Sequence, residues 1–137
     1  MVKRVIGAIA AAFVAYAVLN GLMHGFILRG EYGSEAMKGL FRPEGKMMVG
    51  LTFAMALVVV WAFVLSYTLF VAPKSLINGL KFGTLWGIAT GAGMGFGTYS
   101  AMPISATTAV VWCIGTIVQF AVIGLLAGLI VKPPVEA

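Results

Sequence analysis

The chain carries little charge: 9% of its 137 residues, where a soluble domain averages about 25%. Only four residues are acidic, and no apolar stretch contains an aspartate or glutamate. This argues against a proton or sodium pump built on an intramembrane carboxylate and against carboxylate acid catalysis. Cys113 is the single cysteine, so no intrachain disulfide or cysteine metal cluster can form. His24 is the single histidine, and with Cys113 alone it falls short of the three protein ligands a zinc site needs. No Cys-x-x-Cys-His motif is present, which excludes covalent haem attachment through it. Proline is missing from the apolar runs: the five prolines stand at 43, 73, 103, 133 and 134, between or after them, as punctuation of helices.

What the chain has is hydrophobicity, at 61% of residues. Four stretches reach the length of about 20 residues that spans a bilayer. They predict helices at about 5–28, 46–70, 76–99 and 104–131. No stretch shows the polar face of a soluble amphipathic helix. The expected fold is an all-α integral membrane protein over residues 1–137, a four-transmembrane-helix antiparallel bundle in a single membrane domain. The two halves show no convincing repeat, so an inverted-repeat transporter gains no support. Residues 1–14 imitate a signal peptide, and Ala15-Tyr16-Ala17 imitates its cleavage site. The apolar run continues to Leu28, however, which is too long for a signal core.

The first loop, Arg29 to Gly45, holds Glu31, Glu35 and Glu44. Within it Met37, Leu40 and Phe41 share one helical face while Glu35 and Lys38 face away. That pattern predicts a short interfacial helix at about 34–41, starting near Ser34 and lying on the membrane surface. Pro43-Glu44 suits the first turn of the second helix. The second span has only Thr52 and Ser66 as strong hydrogen-bonding groups in its interior, so it is assigned the largest lipid-facing share. Ser75 is the expected cap of the third helix.

A net charge of +5 is no nucleic-acid signature here, because the basic residues lie singly or in pairs at the ends of apolar stretches, where they reach headgroups. Four spans put Lys3, Arg4, Lys74, Lys81 and Lys132 on one side. Arg29, Lys38, Arg42 and Lys46 fall on the other. The balance and the charge-free third turn place both termini in the cytoplasm.

Between Gly79 and Tyr99 glycine recurs every fourth residue, at Gly79, Gly83, Gly87, Gly91 and Gly95. In water each would cost a helix roughly 1 kcal/mol relative to alanine. In a bilayer the backbone must bond within the segment anyway, and glycine lets a neighbour approach. Residues four apart advance about 400°, so the row turns through roughly 160° between its ends. A single straight neighbour should then touch only two or three of these glycines. The expectation is two contacts: the first helix, with Gly21 and Gly25, at the Gly91–Gly95 end, and the fourth helix, with Gly124 and Gly128, or a partner subunit at the Gly79–Gly83 end. Gly93 and Gly97 lie almost opposite Gly91 and Gly95. They leave room for a second neighbour or for a cavity lined by Asn20 and His24.

Tyr16, Asn20 and His24 share one face of the first helix. Polar groups at such depth point into a bundle. Interhelical packing is the first reading of this row; binding of a ligand, pigment or ion, and proton transfer, are the others. His24 could supply one axial ligand to haem or chlorophyll, though no cofactor is predicted. By helical rise, His24, Thr52, Gly95 and Thr108 or Trp112 should occupy one layer. Gln119, near the middle of the fourth helix, should bond to another helix. Ser100, Ser105, Thr107 and Thr108 have no paired base in their turn, so a serine nucleophile is unsupported.

The Asn20-to-Gly25 stretch with its Asn-x-x-x-His-Gly pattern, the Arg-Pro-Glu before span two and the glycine-rich third span together resemble the small four-span proteins of bacterial inner membranes. The resemblance covers the whole chain and implies that location. No known activity attaches to it, so it carries over no catalytic residue. The function expected is that of a non-enzymatic membrane protein acting through helix packing, as an accessory subunit of a larger membrane complex or as a homo-oligomer. Its partners would be the bilayer and other membrane helices, not nucleic acid. The alternatives are a small channel or carrier for an uncharged solute, and a binder of haem, chlorophyll or quinone through His24.

Overall fold

The computed structural model describes residues 1–131, without the Glu44 side chain. Lys132, Pro133 and Pro134, expected to end the fourth span, lie outside the described residues. Every regular element among the described residues is helical. Helix α1 (Val2–Leu22) runs on through a π turn at Met23–Ile27. A short α2 (Arg29–Tyr32) follows, and after the first loop comes α3 (Val49–Phe70). Helix α4 (Leu76–Ala92) continues through a second π turn, Gly93–Gly97, into α5 (Thr98–Ala101). Helix α6 (Ala106–Ile130) closes the described chain.

Among the described residues, three helices are long and apolar enough to cross a membrane: Val2–Ile27, Val49–Phe70 and Ala106–Ile130. The rod from Leu76 to Ala101 is comparable in length, but Asn78, Lys81 and its glycines dilute its apolar character.

The helix ends follow from local chemistry. Ser75 caps α4, its hydroxyl accepting from the Asn78 N–H at 3.1 Å. Ser105 caps α6 in the same way through the Thr108 N–H at 3.0 Å. Pro43, Pro73 and Pro103 all lie outside the helices. Helix α3 begins at Val49, after a 3₁₀ turn at Glu44–Lys46. Pro43-Glu44 therefore does not open the second helix.

The interfacial helix expected at 34–41 is absent. Those residues form successive turns, bonded Met37 N–H to Ser34 C=O and Leu40 N–H to Met37 C=O. Gly39, with φ +84°, sits in the left-handed region and would interrupt a helix. The apolar side still points inward: Met37 is buried, Leu40 and Phe41 are half-buried, and Glu35 and Lys38 form an exposed ion pair at 3.0 Å. These side chains pack on the helix ends, with Met23, Leu28, Ile104 and Trp112.

Helix α6 is the hub, touching α1, α3 and α4. In a bilayer, burial between helices gains little from the hydrophobic effect, so close packing and hydrogen bonds hold such a seam. The α4–α6 seam is the closest. A β-carbon added to Gly87 would stand 2.6 Å from the Ile117 Cα, and one on Gly91 2.6 Å from the Cys113 carbonyl oxygen. Gly79 and Gly83 lie equally tight against Gly124, Gly128 and Phe120, and Gly95 against Ala109 and Cys113. The order of these pairs makes α4 and α6 antiparallel.

All five glycines therefore meet one helix. The expected contact of Gly91 and Gly95 with the first helix does not occur, and nothing lies within 4 Å of a β-carbon at Gly21, Gly25, Gly93 or Gly97. The assumption that fails is a straight neighbour. Helices that wind round each other can stay on a row whose period exceeds 3.6 residues. The π turn also winds less per residue, which returns Gly95 to the face that Gly91 occupies.

Helix α1 approaches the core through Ala8 and Ala12, both fully buried with Phe63, Tyr67, Phe120, Ile123 and Ala127. Helix α3 joins the core by its second half, and from its first half the Phe53 ring meets Phe13 of α1 edge-on at 6.4 Å. Phe63 packs on Phe82, Trp86 and Phe120 with ring centroids 5.3, 5.7 and 5.4 Å apart. The Tyr67 hydroxyl donates to the Ser75 carbonyl at 3.0 Å and accepts from the Ser75 N–H at 3.1 Å.

Candidate functional site

The polar side chains of the first helix fall into two groups. Near its middle, the Gln119 amide donates to the Asn20 side-chain oxygen at 3.5 Å, at the long limit for a hydrogen bond. Gln119 is buried, and Tyr16 beside this pair sets its ring edge-on to Phe120 at 6.2 Å. Tyr16 makes no side-chain bond to Asn20, so the row divides between an aromatic contact and an amide pair.

The second group lies at the loop end. Tyr32 OH is 2.5 Å from His24 Nδ1, and the Trp112 indole N–H donates to the same oxygen at 2.8 Å. An indole nitrogen only donates. The Tyr32 oxygen accepts from it, and in the tautomer with the imidazole proton on Nε2 the Tyr32 proton goes to Nδ1. The rings also stack: His24 lies 5.9 Å from Tyr32, nearly parallel, and 6.1 Å from Trp112. Phe41 closes the cluster at 5.0 Å from Tyr32 and 6.3 Å from Trp112. Burial pushes the Tyr32 hydroxyl above its ordinary pKa, while the Trp112 bond works in the opposite direction.

Both π turns flank the same part of α6. Met23 faces Gly115 and His24 faces Trp112, while Gly95 faces Ala109 and Cys113. The Leu28 N–H bonds to the Met23 carbonyl at 3.0 Å, five residues back. Such single π turns recur at functional sites. Of the expected layer, His24, Gly95 and Trp112 meet on one stretch of α6, while Thr52 is exposed, with its hydroxyl turned to the Met48 carbonyl, and takes no part in their contacts.

A further set of bonds ties α2 to the start of α6. Ser105 Oγ donates to Glu31 Oε2 at 2.6 Å and lies 3.0 Å from Thr108 Oγ1. Its N–H points at Met37 Sδ, 3.2 Å away. Ser105 therefore does meet a carboxylate, but one delivered by the first loop. The contact is a charge-assisted clamp; the only imidazole, which could activate a hydroxyl, has its Nδ1 bonded to Tyr32.

Among the described residues no group of three metal-ligating side chains occurs, and no buried polar side-chain atom lacks a partner. A cleft of 360 Å³ opens between α1 and α6, lined by Leu19, Met23, Ile27, Ile114, Val118 and Gln119 among others. Neither Asn20 nor His24 lines it, so it is not the cavity that the sequence offered as an alternative to tight packing.

Glu31, Tyr32 and Phe41 went unnoticed as site residues because the loop was read by itself. A signal existed for Tyr32: counting by fours from Tyr16 gives Asn20, His24, buried Leu28 and then Tyr32. No protein-family model matches the chain, and neither a curated protein nor a solved structure matches it.

Proposed function

We propose that this is a four-span, non-enzymatic protein of a bacterial-type inner membrane, with both termini cytoplasmic, that acts as a docking subunit for other membrane helices. The observation that carries the reading is the state of α3. From Val49 to Val59 every residue except Ala56 is exposed, including Leu51, Phe53, Met55 and Leu57. The other half of the same helix is fixed in the core by Phe63, Val64 and Tyr67. One end of an apolar helix is thus anchored, while the other, whose Phe53 ring meets Phe13 of α1 edge-on at 6.4 Å, leaves most of its surface open to the membrane. The pairing of the deep polar groups with one another supports a packing role for them.

Native mass spectrometry in mild detergent, with disulfide cross-linking of Leu57→Cys in a Cys113→Ser background, tests the proposal. A defined oligomer or hetero-complex, cross-linked at position 57, is expected. A monomer that carries only lipid and gives no cross-link overturns it.

The cofactor reading keeps one observation in its favour: His24 Nε2 has no bonded partner among the described residues. The visible absorption spectrum of the purified protein separates the two readings, since a haem or chlorophyll bound through His24 gives bands that a packing subunit lacks.

A further inference from the structure

We propose that the first loop is a proton-sensitive latch, closed over the end of the bundle while His24 is neutral and loosened when His24 takes up a proton. The latch is held at three places. Tyr32 bridges His24 and Trp112, Glu31 grips Ser105, and Met37 is buried under the start of α6. Only the first depends on a group that titrates near neutral pH.

The proton count makes that hold conditional. Tyr32 has one proton, and Trp112 can only donate. While the imidazole is neutral with a lone pair on Nδ1, that nitrogen takes the Tyr32 proton across the 2.5 Å contact. A protonated imidazole donates from both nitrogens, so Tyr32 would face a donor on each side and its own proton would lose its acceptor. The Tyr32 hydroxyl makes no other hydrogen bond among the described residues.

No carboxylate is paired with the imidazole among the described residues. The imidazole lies among Tyr32 and Trp112, with Phe41 completing the ring cluster. Helix α6 brings no charged side chain to the cluster, and α4 and α5 bring none at this end, Lys81 lying near the opposite end of α4. On α1 the basic residues Lys3 and Arg4 are at the far end. In the loop, Glu31 is engaged by Ser105, Glu35 and Lys38 pair with each other in solvent, and Arg29, Arg42 and Lys46 are exposed. The hold is complete where His24 is neutral, and it is lost as pH falls and the imidazole takes up its proton. Met37 and Phe41 do not titrate, so the loosening is confined to residues 29–33.

Hydrogen–deuterium exchange of the full chain in nanodiscs, followed across residues 29–33 from pH 8 to pH 5, tests this. Rates are normalised to an unstructured reference peptide. Protection should fall about fivefold on acidification, the scale of one lost hydrogen bond. His24→Gln, which cannot take up a proton, should abolish the step, and Glu31→Gln should keep it. Trp112 can be followed separately in a Trp61→Phe, Trp86→Phe background, where its fluorescence should change over the same pH range. A step that persists in His24→Gln, or its absence from the wild-type chain, overturns the proposal.

Discussion

Gly87 lies so close to Ile117 that a β-carbon on the glycine would stand 2.6 Å from the Ile117 Cα atom. The obstacle is backbone, which cannot rotate away as the tip of a flexible side chain can. The same holds along the seam from Gly79 against Gly128 to Gly91 against Cys113. Closeness of this kind gains dispersion contacts along the whole length of both helices, the main source of attraction between helices in lipid.

Alanine substitution along α4 should therefore separate two classes. Gly83→Ala, Gly87→Ala and Gly91→Ala should each destabilise the monomer by about 1–3 kcal/mol, the range for overpacking. Gly93→Ala and Gly97→Ala, with open space at the added carbon, should be neutral or slightly stabilising. Thermal unfolding in detergent, read by size-exclusion chromatography, checks the pattern. Equal tolerance at Gly87 and Gly93 would remove the seam as the reason for the glycine row.

The amide pair predicts a small coupling. Gln119→Leu and Asn20→Leu should each cost about 1 kcal/mol, and their double-mutant cycle should give about 0.6 kcal/mol, the average for membrane interhelical bonds. The 3.5 Å separation argues for the lower end. A coupling indistinguishable from zero would show that the two amides stabilise independently.

Tyr32→Phe deletes both bonds of the loop-end bridge and leaves Trp112 and His24 without partners. A loss of about 1–3 kcal/mol is expected in chemical unfolding of the reconstituted protein. The raised pKa of Tyr32 adds a pH signature. In the folded state the neutral phenol is favoured. Its contribution is full below the ordinary value of about 10, and it is lost as pH rises towards the folded-state value. The phenolate absorbance titration of Tyr32→Phe should lack one late-titrating group that the wild-type chain has.

The turn between α3 and α4 hangs on one hydroxyl. Tyr67→Phe removes both bonds to the Ser75 backbone while keeping the ring on Phe82 at 5.8 Å. A loss of about 1–2 kcal/mol follows from the two bonds. Ser75→Ala, which removes the α4 cap, should cost about 1 kcal/mol. Both are measured by thermal unfolding, and a silent Tyr67→Phe would place the stability of this turn elsewhere.

Helix positions in this chain follow from composition and punctuation. Apolar runs of sufficient length must bond their own backbone in lipid, whatever their neighbours, and prolines 43, 73 and 103 can stand only where helices are interrupted. Ser75 as a cap is likewise a local property of one side chain and the N–H three residues on. The spacing of Met37, Leu40 and Phe41 marked them as one apolar group, but it assigned them to a surface helix, whereas turns carry them onto the helix ends.

Partnership is a different matter. The glycine row shows that something comes close, but not what, since a missing side chain carries no mark of its neighbour. The π turn at Gly93–Gly97 and the close course of α4 along α6 decided that one helix meets all five glycines. The loop-end cluster was hidden for the same reason. His24 and Trp112 are 88 residues apart, and Tyr32 joins them only because the chain turns back after Leu28 and folds Phe41 and Met37 beneath it. The sequence by itself determined where the helices run and which residues are polar at depth. Only the tertiary structure decided which of those residues meet, because a hydrogen bond or a close backbone contact depends on distances that the spacing of residues in one segment does not constrain.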